Sequence, residues 1–544
     1  MTAAPEWSLT AVIDVVSDAV PDREMLVWND VHRTYAEVAE RSKRFAAFLR
    51  DQGLGLDQER AELERWEVGQ SLVAIVASNC PEYIETTIGA YRARTIPFNV
   101  NHHYHAREIS QLLDKMGTDA IVYHRRLGPL LAEATRLDGR LLVDIDDGSG
   151  TAPLPGSTSF EDAIAGAQAV GALPLPSPDD VYMICTGGTT GLPKGVLWRQ
   201  GDAYVSAMGG GEGTTAEVIR QRAHNPQIWF ATSPMMHSAG QRTTFSAVLN
   251  GGTAVMNDDA TPFDAHTILS TAAREHVDVM TIVGDAYARP LVDELRARSY
   301  ELPDLQRIGT GGATTSAAVK AELLELLPHV TINDSYSSSE TGRMASTSTS
   351  ATGGTQEFTL TDDAGVLSDD RTWFLRAGDD EIGWTARRGR VPLGYLHDPE
   401  QTERTFPIIE GERVSVPGDR ATVTDDGRIV LLGRDSNVVN SGGEKVFVEE
   451  VEEAIRSHPD VVDALVVGRS DERFGQEVVA LVQLRPGVDL SPRDVREYAA
   501  ESIARFKAPR AVAFCDQIGR HASGKPDYAW ARQAAERAVS AMSD

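Results

Sequence analysis

Apolar residues recur along the first part of the chain in two rhythms. Residues 34–50 (TYAEVAERSKRFAAFLR) repeat them at helical spacing behind Thr34, which predicts a capped amphipathic helix. The runs SLVAIVA (71–77), TIPFNV (95–100), DAIVYH (119–124) and LLVDI (141–145) predict buried strands. YIETTIGAYRA and REISQLLDKMG, which lie between them, predict amphipathic helices. Strands and helices alternating in this way imply parallel sheets covered by helices. Further strands are expected at 181–186, 227–232, 252–257, 277–283 and 329–334. Residues 57–70, dense in Glu and Arg, predict a solvated helical insertion or loop, and 147–179, rich in Gly, Pro, Ser and Ala, a loop with one short helix.

The pattern changes after Gly433. Residues 446–456 predict a helix, 464–468 and 478–484 strands, and 491–505 a second helix, a compact α+β unit. At 544 residues the chain exceeds what one core supports. The expected fold is therefore α/β, with a large N-terminal domain of helix-covered sheets (1–433) and a small α+β domain (434–544) joined at GRDSN, 433–437.

Charge narrows the function. With 52 Lys+Arg against 80 Asp+Glu the net charge is −28, and such a field repels nucleic acid and anionic membranes. An anionic ligand then needs a few local cations and backbone N–H groups. Cys80, Cys185 and Cys515 are far apart, which argues against a disulfide framework or structural zinc and for a reducing cytoplasm. The first residues lack a basic flank before an apolar run, and no apolar stretch reaches the roughly 18 residues of a membrane span, so a soluble protein is expected. His102, His103 and His105 have no carboxylate or Cys at metal-ligand spacing and are expected in a polar loop.

The segment Thr186-Gly187-Gly188-Thr189-Thr190-Gly191-Leu192-Pro193-Lys194-Gly195 follows the strand VYMIC directly. Its glycines allow tight turns with inward N–H groups, its hydroxyls add donors and Lys194 adds charge, a set suited to gripping a polyphosphate. It is neither a Walker A loop nor a dinucleotide turn.

This segment resembles the phosphate loop T-S-G-T-T-G-x-P-K-G of the adenylate-forming superfamily, which contains acyl-CoA synthetases, peptide-synthetase adenylation domains and beetle luciferases. Other motifs follow in that family's order. Gly311-Gly312-Ala313 resembles the adenine loop, and Tyr336-Ser337-Ser338-Ser339-Glu340 resembles Y-G-x-T-E. The resemblance implies that Tyr336 stacks on adenine, Ser339 touches the α-phosphate and Glu340 holds Mg²⁺, a hard ion that prefers oxygen. Arg388 through Tyr395, then Asp398-Pro399-Glu400, resembles a structural motif. Asp419 is the expected ribose carboxylate and Arg434 a ribose or phosphate contact. Asp435 or Ser436 is the expected hinge. Ser441-Gly442-Gly443-Glu444-Lys445 resembles the mobile-domain loop lining the CoA tunnel, with Ser441, Gly442, Gly443 and Lys445 as CoA contacts.

Ser523-Gly524-Lys525 resembles the motif of the family's catalytic lysine, which reaches the site from the mobile small domain. The preceding Gly519-Arg520-His521 departs from the usual P-K-T. His237 stands where the family has a gate beside the acyl pocket and joins Lys525 as a catalytic candidate. Gly284-Asp285-Ala286 and Trp229 are expected near the acyl tunnel. Long stretches such as TGGTTGLPKGVLWR and NSGGEKVFVEEVE look most like actinobacterial acyl-CoA synthetases for fatty acids and steroid side chains. The resemblance implies activation of a bulky apolar acid as acyl-AMP and transfer to CoA, with ATP, Mg²⁺ and coenzyme A required. The alternative is transfer to a carrier protein or partner enzyme. A separate acyl carrier protein and a homodimer both remain open.

Overall fold

The computed structural model describes residues 6–134, 137, 139–167, 173–188, 191–354, 357–441, 444–471, 475–521 and 524–540. The helix expected behind Thr34 spans Tyr35–Asp51. The Thr34 hydroxyl accepts the Glu37 N–H (3.2 Å) while the Glu37 carboxylate accepts the Thr34 N–H (2.7 Å), so the cap satisfies donors at both ends of the first turn.

Of the strands predicted before Gly433, all but 181–186 assemble into two large sheets. In one of five strands, Leu72–Val76 lies between Ile96–Asn99 and Ala120–His124, all parallel, with Leu141–Ile145 beyond. Its continuous apolar runs are buried on both faces, as parallel sheets require. The other, of ten strands, has a parallel centre of Thr253–Met256, Ile228–Ala231, Val279–Ile282, Arg307–Gly311 and Thr331–Ser338. The strand Gly342–Ser350 then returns antiparallel.

A four-stranded antiparallel sheet of Ala364–Leu367, Gly383–Arg387, Asp419–Val423 and Ile429–Arg434 completes the first 434 residues. Beyond it a five-stranded sheet starts at Val438–Ser441 and is flanked by the helices Val448–Arg456, Pro492–Ser502 and Tyr528–Ser540. Two expectations shift. Residues 446 and 447 belong to the strand Glu444–Phe447, where both are buried and pair with Val439 and Val438, and the helix expected to 505 ends at Ser502. Residues 57–70 contain only the short 3₁₀ turn Arg60–Glu62, closed by a bridge between Leu56 and Gln70. Residues 147–179 carry the short helix Phe160–Gly166.

No helix among the described residues is long and apolar enough to cross a membrane. The small unit docks through its helix Val448–Arg456. The Glu453 carboxylate accepts the Ala317 N–H at the start of the helix Ala317–Leu326 (3.3 Å), where the helix dipole favours an anion. Arg456 Nε lies 3.9 Å from Asp285 Oδ2, both side chains 4% exposed. Gly433, at φ +107°, leaves space for the Glu449 carboxylate, which an added Cβ would meet at 2.1 Å. Gly433→Ala should therefore cost about 1–3 kcal/mol in backbone strain and loosen the docking. Limited proteolysis at 434–437 would report this as faster cleavage than in wild type.

Candidate active site

The described residues of the phosphate-loop motif lie on two paired strands. Val181–Gly188 runs antiparallel to Gly191–Arg199, with Thr186 opposite Lys194 and Gly188 opposite Gly191. Gly187 and Gly188 thus end a strand, while Thr189 and Thr190 lie outside the described residues. Gly394–Tyr395 adds a third strand to this hairpin and brings the Tyr395 ring centroid within 5.0 Å of Lys194 Nζ. Tyr395 then donates its hydroxyl to Glu340 Oε1 (3.0 Å), and Ser415 Oγ donates to the Glu340 carbonyl (2.7 Å). The hairpin and the carboxylate are held to each other by one phenol.

The polar stretch around Tyr336 is the strand Thr331–Ser338 and the tight turn that follows it. Tyr336 Oη donates to Asp419 Oδ2 (2.6 Å) and lies 2.8 Å from Thr385 Oγ1. Asp419 faces Arg434 across its own hairpin, and Arg434 Nε donates to Asp419 Oδ1 (3.2 Å). Asp419 keeps lone pairs for two hydroxyl groups beyond these contacts. Gly311, Gly312 and Ala313 leave the end of the strand Arg307–Gly311, Gly312 with φ +79°. Ser339 is buried, its carbonyl receiving Trp198 Nε1 (2.9 Å).

Lys525 arrives from the small unit. Arg520 grips Asp463 with two bonds (2.7 and 2.8 Å) and donates a third to the Gly524 carbonyl (2.9 Å). The departure from P-K-T therefore retains a basic residue that fixes the backbone beside the lysine. Lys525 Cε would lie 3.9 Å from a Cβ at Gly312. Burial, followed by the nearby Arg434, pushes the Lys525 ammonium below its ordinary range, while Glu340 and Asp419 oppose that shift. His237 N-caps the helix Ser238–Val248 and its Nε2 is buried without a hydrogen-bond partner. Burial, reinforced by Lys525, lowers its pKa to about 3, so the imidazole is neutral.

One cavity of about 2680 Å³ is lined by Thr186, Lys194, His237, Gly312, Glu340, Asp419 and Lys525. Ala313, Tyr336, Ser339, Arg434 and Asp435 also line it. Asp435 opens the short turn Asp435–Asn437, its N–H bonded to the Gly418 carbonyl (3.1 Å), and Ser436 is the middle residue of that turn. Ser441 and Lys445 lie on the small unit's first hairpin and do not line the cavity in this orientation. Gly442 and Gly443 fall outside the described residues.

Three features differ from the sequence reading. His102 lies in the expected polar loop, residues 101–105, but is withdrawn from solvent there. It is buried, its Nε2 4.0 Å from Asp259 Oδ2, a carboxylate that the fold supplies from far along the chain. Among the described residues no three metal-ligating side chains cluster. Asp285 meets Arg456 at the junction of the two units and does not line the cavity. Arg242, unread in the sequence, is half-buried beside Glu340 and Lys525 and donates to the Ser338 carbonyl (2.8 Å).

Glu340 fits a Mg²⁺ role, because this ion usually takes one or two protein carboxylates and completes its shell with phosphate oxygens and water. Tyr395 engages only one Glu340 oxygen, and the carboxylate lies in the cavity with Lys194.

Residues 14–367 match the AMP-binding enzyme family and residues 450–525 the AMP-binding enzyme C-terminal domain. The chain is 43% identical to the medium-chain acyl-CoA ligase Mig of Mycobacterium avium, covering 97% of this chain and 98% of that protein. It is 37% identical to a medium/long-chain-fatty-acid–CoA/3-oxocholest-4-en-26-oate–CoA ligase of Mycobacterium tuberculosis, covering 95% and 94%. The structure of the anthranilate CoA ligase AuaEII with anthranoyl-AMP has the same fold, with a TM-score of 0.82 at 19% identity and 98% of each chain covered.

Burial of neutral His237 links stability to pH. An unfolded histidine takes up its proton near pH 6.5, the folded one only near 3, so this stability is present above about 6.5 and is lost as pH falls towards 3. His237→Phe should therefore flatten the fall of the melting temperature between about pH 6.5 and 4. An identical slope in wild type and variant would contradict this.

Proposed function

The chain belongs to the AMP-binding enzyme family, and from that premise we propose that it is an ATP-dependent acyl-CoA synthetase. Its acid is bulky and apolar, a medium- or long-chain, terpenoid or steroid acid. The observation that carries the reading is the meeting of Lys525, from the small unit, with Lys194, Glu340 and Asp419 in one cavity. The relatives' names supply the acid class and the CoA acceptor. Residues 1–433 are assigned as the ATP and acid core and 434–544 as the mobile domain, with Asp435 or Ser436 as its hinge. The free cysteines support a cytoplasmic setting.

In the first half-reaction a carboxylate oxygen attacks the α-phosphorus of ATP. The new P–O bond gives acyl-AMP, and the bond to pyrophosphate breaks with its electron pair on the leaving group. Thr186, Gly187, Gly188, Thr189, Thr190 and Lys194 are assigned to the phosphates, Gly311, Gly312, Ala313 and Tyr336 to adenine, and Ser339 to the α-phosphate. Asp419 is assigned to the ribose hydroxyls, with Arg434 beside it. Mg²⁺ held by Glu340 would neutralise phosphate charge. Lys525 holds the incoming carboxylate against phosphate oxygen and stabilises the crowded centre, which a fixed charge does without reorganising in the transition state. His237, neutral, closes the acyl end of the site without adding to the cations already beside Lys525.

In the second half-reaction the CoA sulfur attacks the acyl carbonyl carbon. The thioester forms, AMP leaves with the former anhydride oxygen, and the thiol proton goes to solvent. Ser441, Gly442, Gly443 and Lys445 are assigned to CoA in the orientation that withdraws Lys525.

Lys525→Ala should slow acid-dependent pyrophosphate release about 10²–10³-fold while thioester formation from supplied acyl-AMP stays near wild type. Equal loss in both halves would remove Lys525 from its assigned role. Glu340→Ala should raise the Mg²⁺ concentration for half-maximal adenylation about tenfold or more, the effect of losing about 1.4 kcal/mol of ligation. An unchanged metal requirement would contradict the assignment.

A further inference from the structure

Beyond Gly311 the cavity continues along the ten-stranded sheet, beneath the helix Ser238–Val248, whose Thr243, Ser246 and Ala247 face it. Strand register arranges its floor in rows. Gly311 pairs with Ser335; next, Thr281 pairs with Gly309 and Gly309 with Asn333; then Trp229 pairs with Val279 and Val279 with Arg307. The first two rows are bare at their centre. A Cβ on Gly311 would meet the Ser335 carbonyl at 3.0 Å and one on Gly309 would meet Thr281 Cγ2 at 3.2 Å. The third row carries large side chains. Four residues of strand separate Gly311 from Arg307, about 13 Å.

Arg307 is an unusual wall for an apolar acid. Its guanidinium carbon lies 5.8 Å from the Trp229 ring centroid, and Nη2 donates to Gln227 Oε1 (2.6 Å). Its Nε is buried without a hydrogen-bond partner. Among the described residues it has no carboxylate within ion-pair distance, in a chain where acidic residues outnumber basic ones by 80 to 52. A hydrocarbon terminus reaching this row would strip water from a cation and offer nothing in return. An oxygen would replace that water with a charge-assisted hydrogen bond.

We propose that Arg307, seated on Trp229 and braced by Gln227, recognises a second oxygen at the end of the acid remote from its carboxyl group. The inference rests on the acyl-activating reading above. An extended chain advances roughly 1.2 Å per bond, so about 13 Å places this oxygen about eleven bonds from the carboxyl carbon. The shared chemistry is an acceptor oxygen, whether ketone, hydroxyl or second carboxylate.

The test uses the full-length protein with ATP, Mg²⁺ and CoA, following pyrophosphate release. The substrates are a straight-chain acid of about ten to twelve carbons and its terminal hydroxy, terminal keto and dicarboxylic counterparts. At least one oxygenated acid should exceed the plain acid in kcat/KM by about tenfold or more, the worth of one charge-assisted hydrogen bond. Arg307→Met should bring that ratio to about one, chiefly by raising KM for the oxygenated acid, while turnover of the plain acid persists or improves. Gln227→Leu, which leaves the arginine in place, should reduce the ratio by a smaller factor. The preferred oxygenated acid identifies the oxygen as neutral or anionic. A ratio that is the same in wild type and Arg307→Met, or no preference in wild type, would overturn the proposal while leaving the synthetase reading intact. Release of pyrophosphate with none of the acids would overturn both.

Discussion

A cation delivered by one folded unit into a cavity built by another is the constraint on which this protein depends. Lys525 reaches into the cavity, where desolvation and the nearby Arg434 and Arg242 destabilise its ammonium, and Glu340 and Asp419 oppose that cost. A lysine in such surroundings keeps its position only if its backbone is fixed from outside the cavity. Arg520 does this, tying Asp463 on the small sheet to the carbonyl of the residue preceding Lys525. The large unit contributes the surface to be reached, with Gly312 leaving space that a side chain would narrow.

The same logic orders the rest of the cavity. Residues remote in sequence meet because hairpins are paired to hairpins: Gly394–Tyr395 on the phosphate hairpin, Asp419 opposite Arg434 on the four-stranded sheet, Tyr336 joining that sheet to the large one through its hydroxyl. Each contact uses one polar group to satisfy another that burial would otherwise leave unpaired. An acidic chain thereby assembles a site with Lys194, Arg242, Arg434 and Lys525 around few carboxylates, which suits a polyanion.

Much of this was legible in the sequence because it is local. The Thr34 cap, the apolar strand runs and the Gly-Thr segment each carry their signal within a few residues. The AMP-binding family assignment and the two-part α/β architecture follow from motifs in order. What was illegible is what tertiary contact decides. The Tyr395 phenol acquires meaning only when a short strand pairs with the phosphate hairpin, and Arg242 only when its helix lies under Ser338. The burial of His102 in its polar loop is hidden because Asp259, which it approaches, is distant along the chain. Asp285 read as an acyl-tunnel residue because no pattern announces that Arg456 will face it.

That last contact has a thermodynamic consequence. Asp285 and Arg456 are almost wholly withdrawn from water at the junction, yet 3.9 Å apart, with neither Arg456 Nε nor Asp285 Oδ2 engaged in a hydrogen bond. An ion pair so dry and so loosely made gains little over its hydrated, separated state. It discriminates against mismatched dockings, where Asp285 would lack its cation while Arg456 kept Glu452 and Glu453, without adding much adhesion to the matched one. A lobe registered in this way is held accurately and lightly, which are the properties that the domain rotation proposed above calls for.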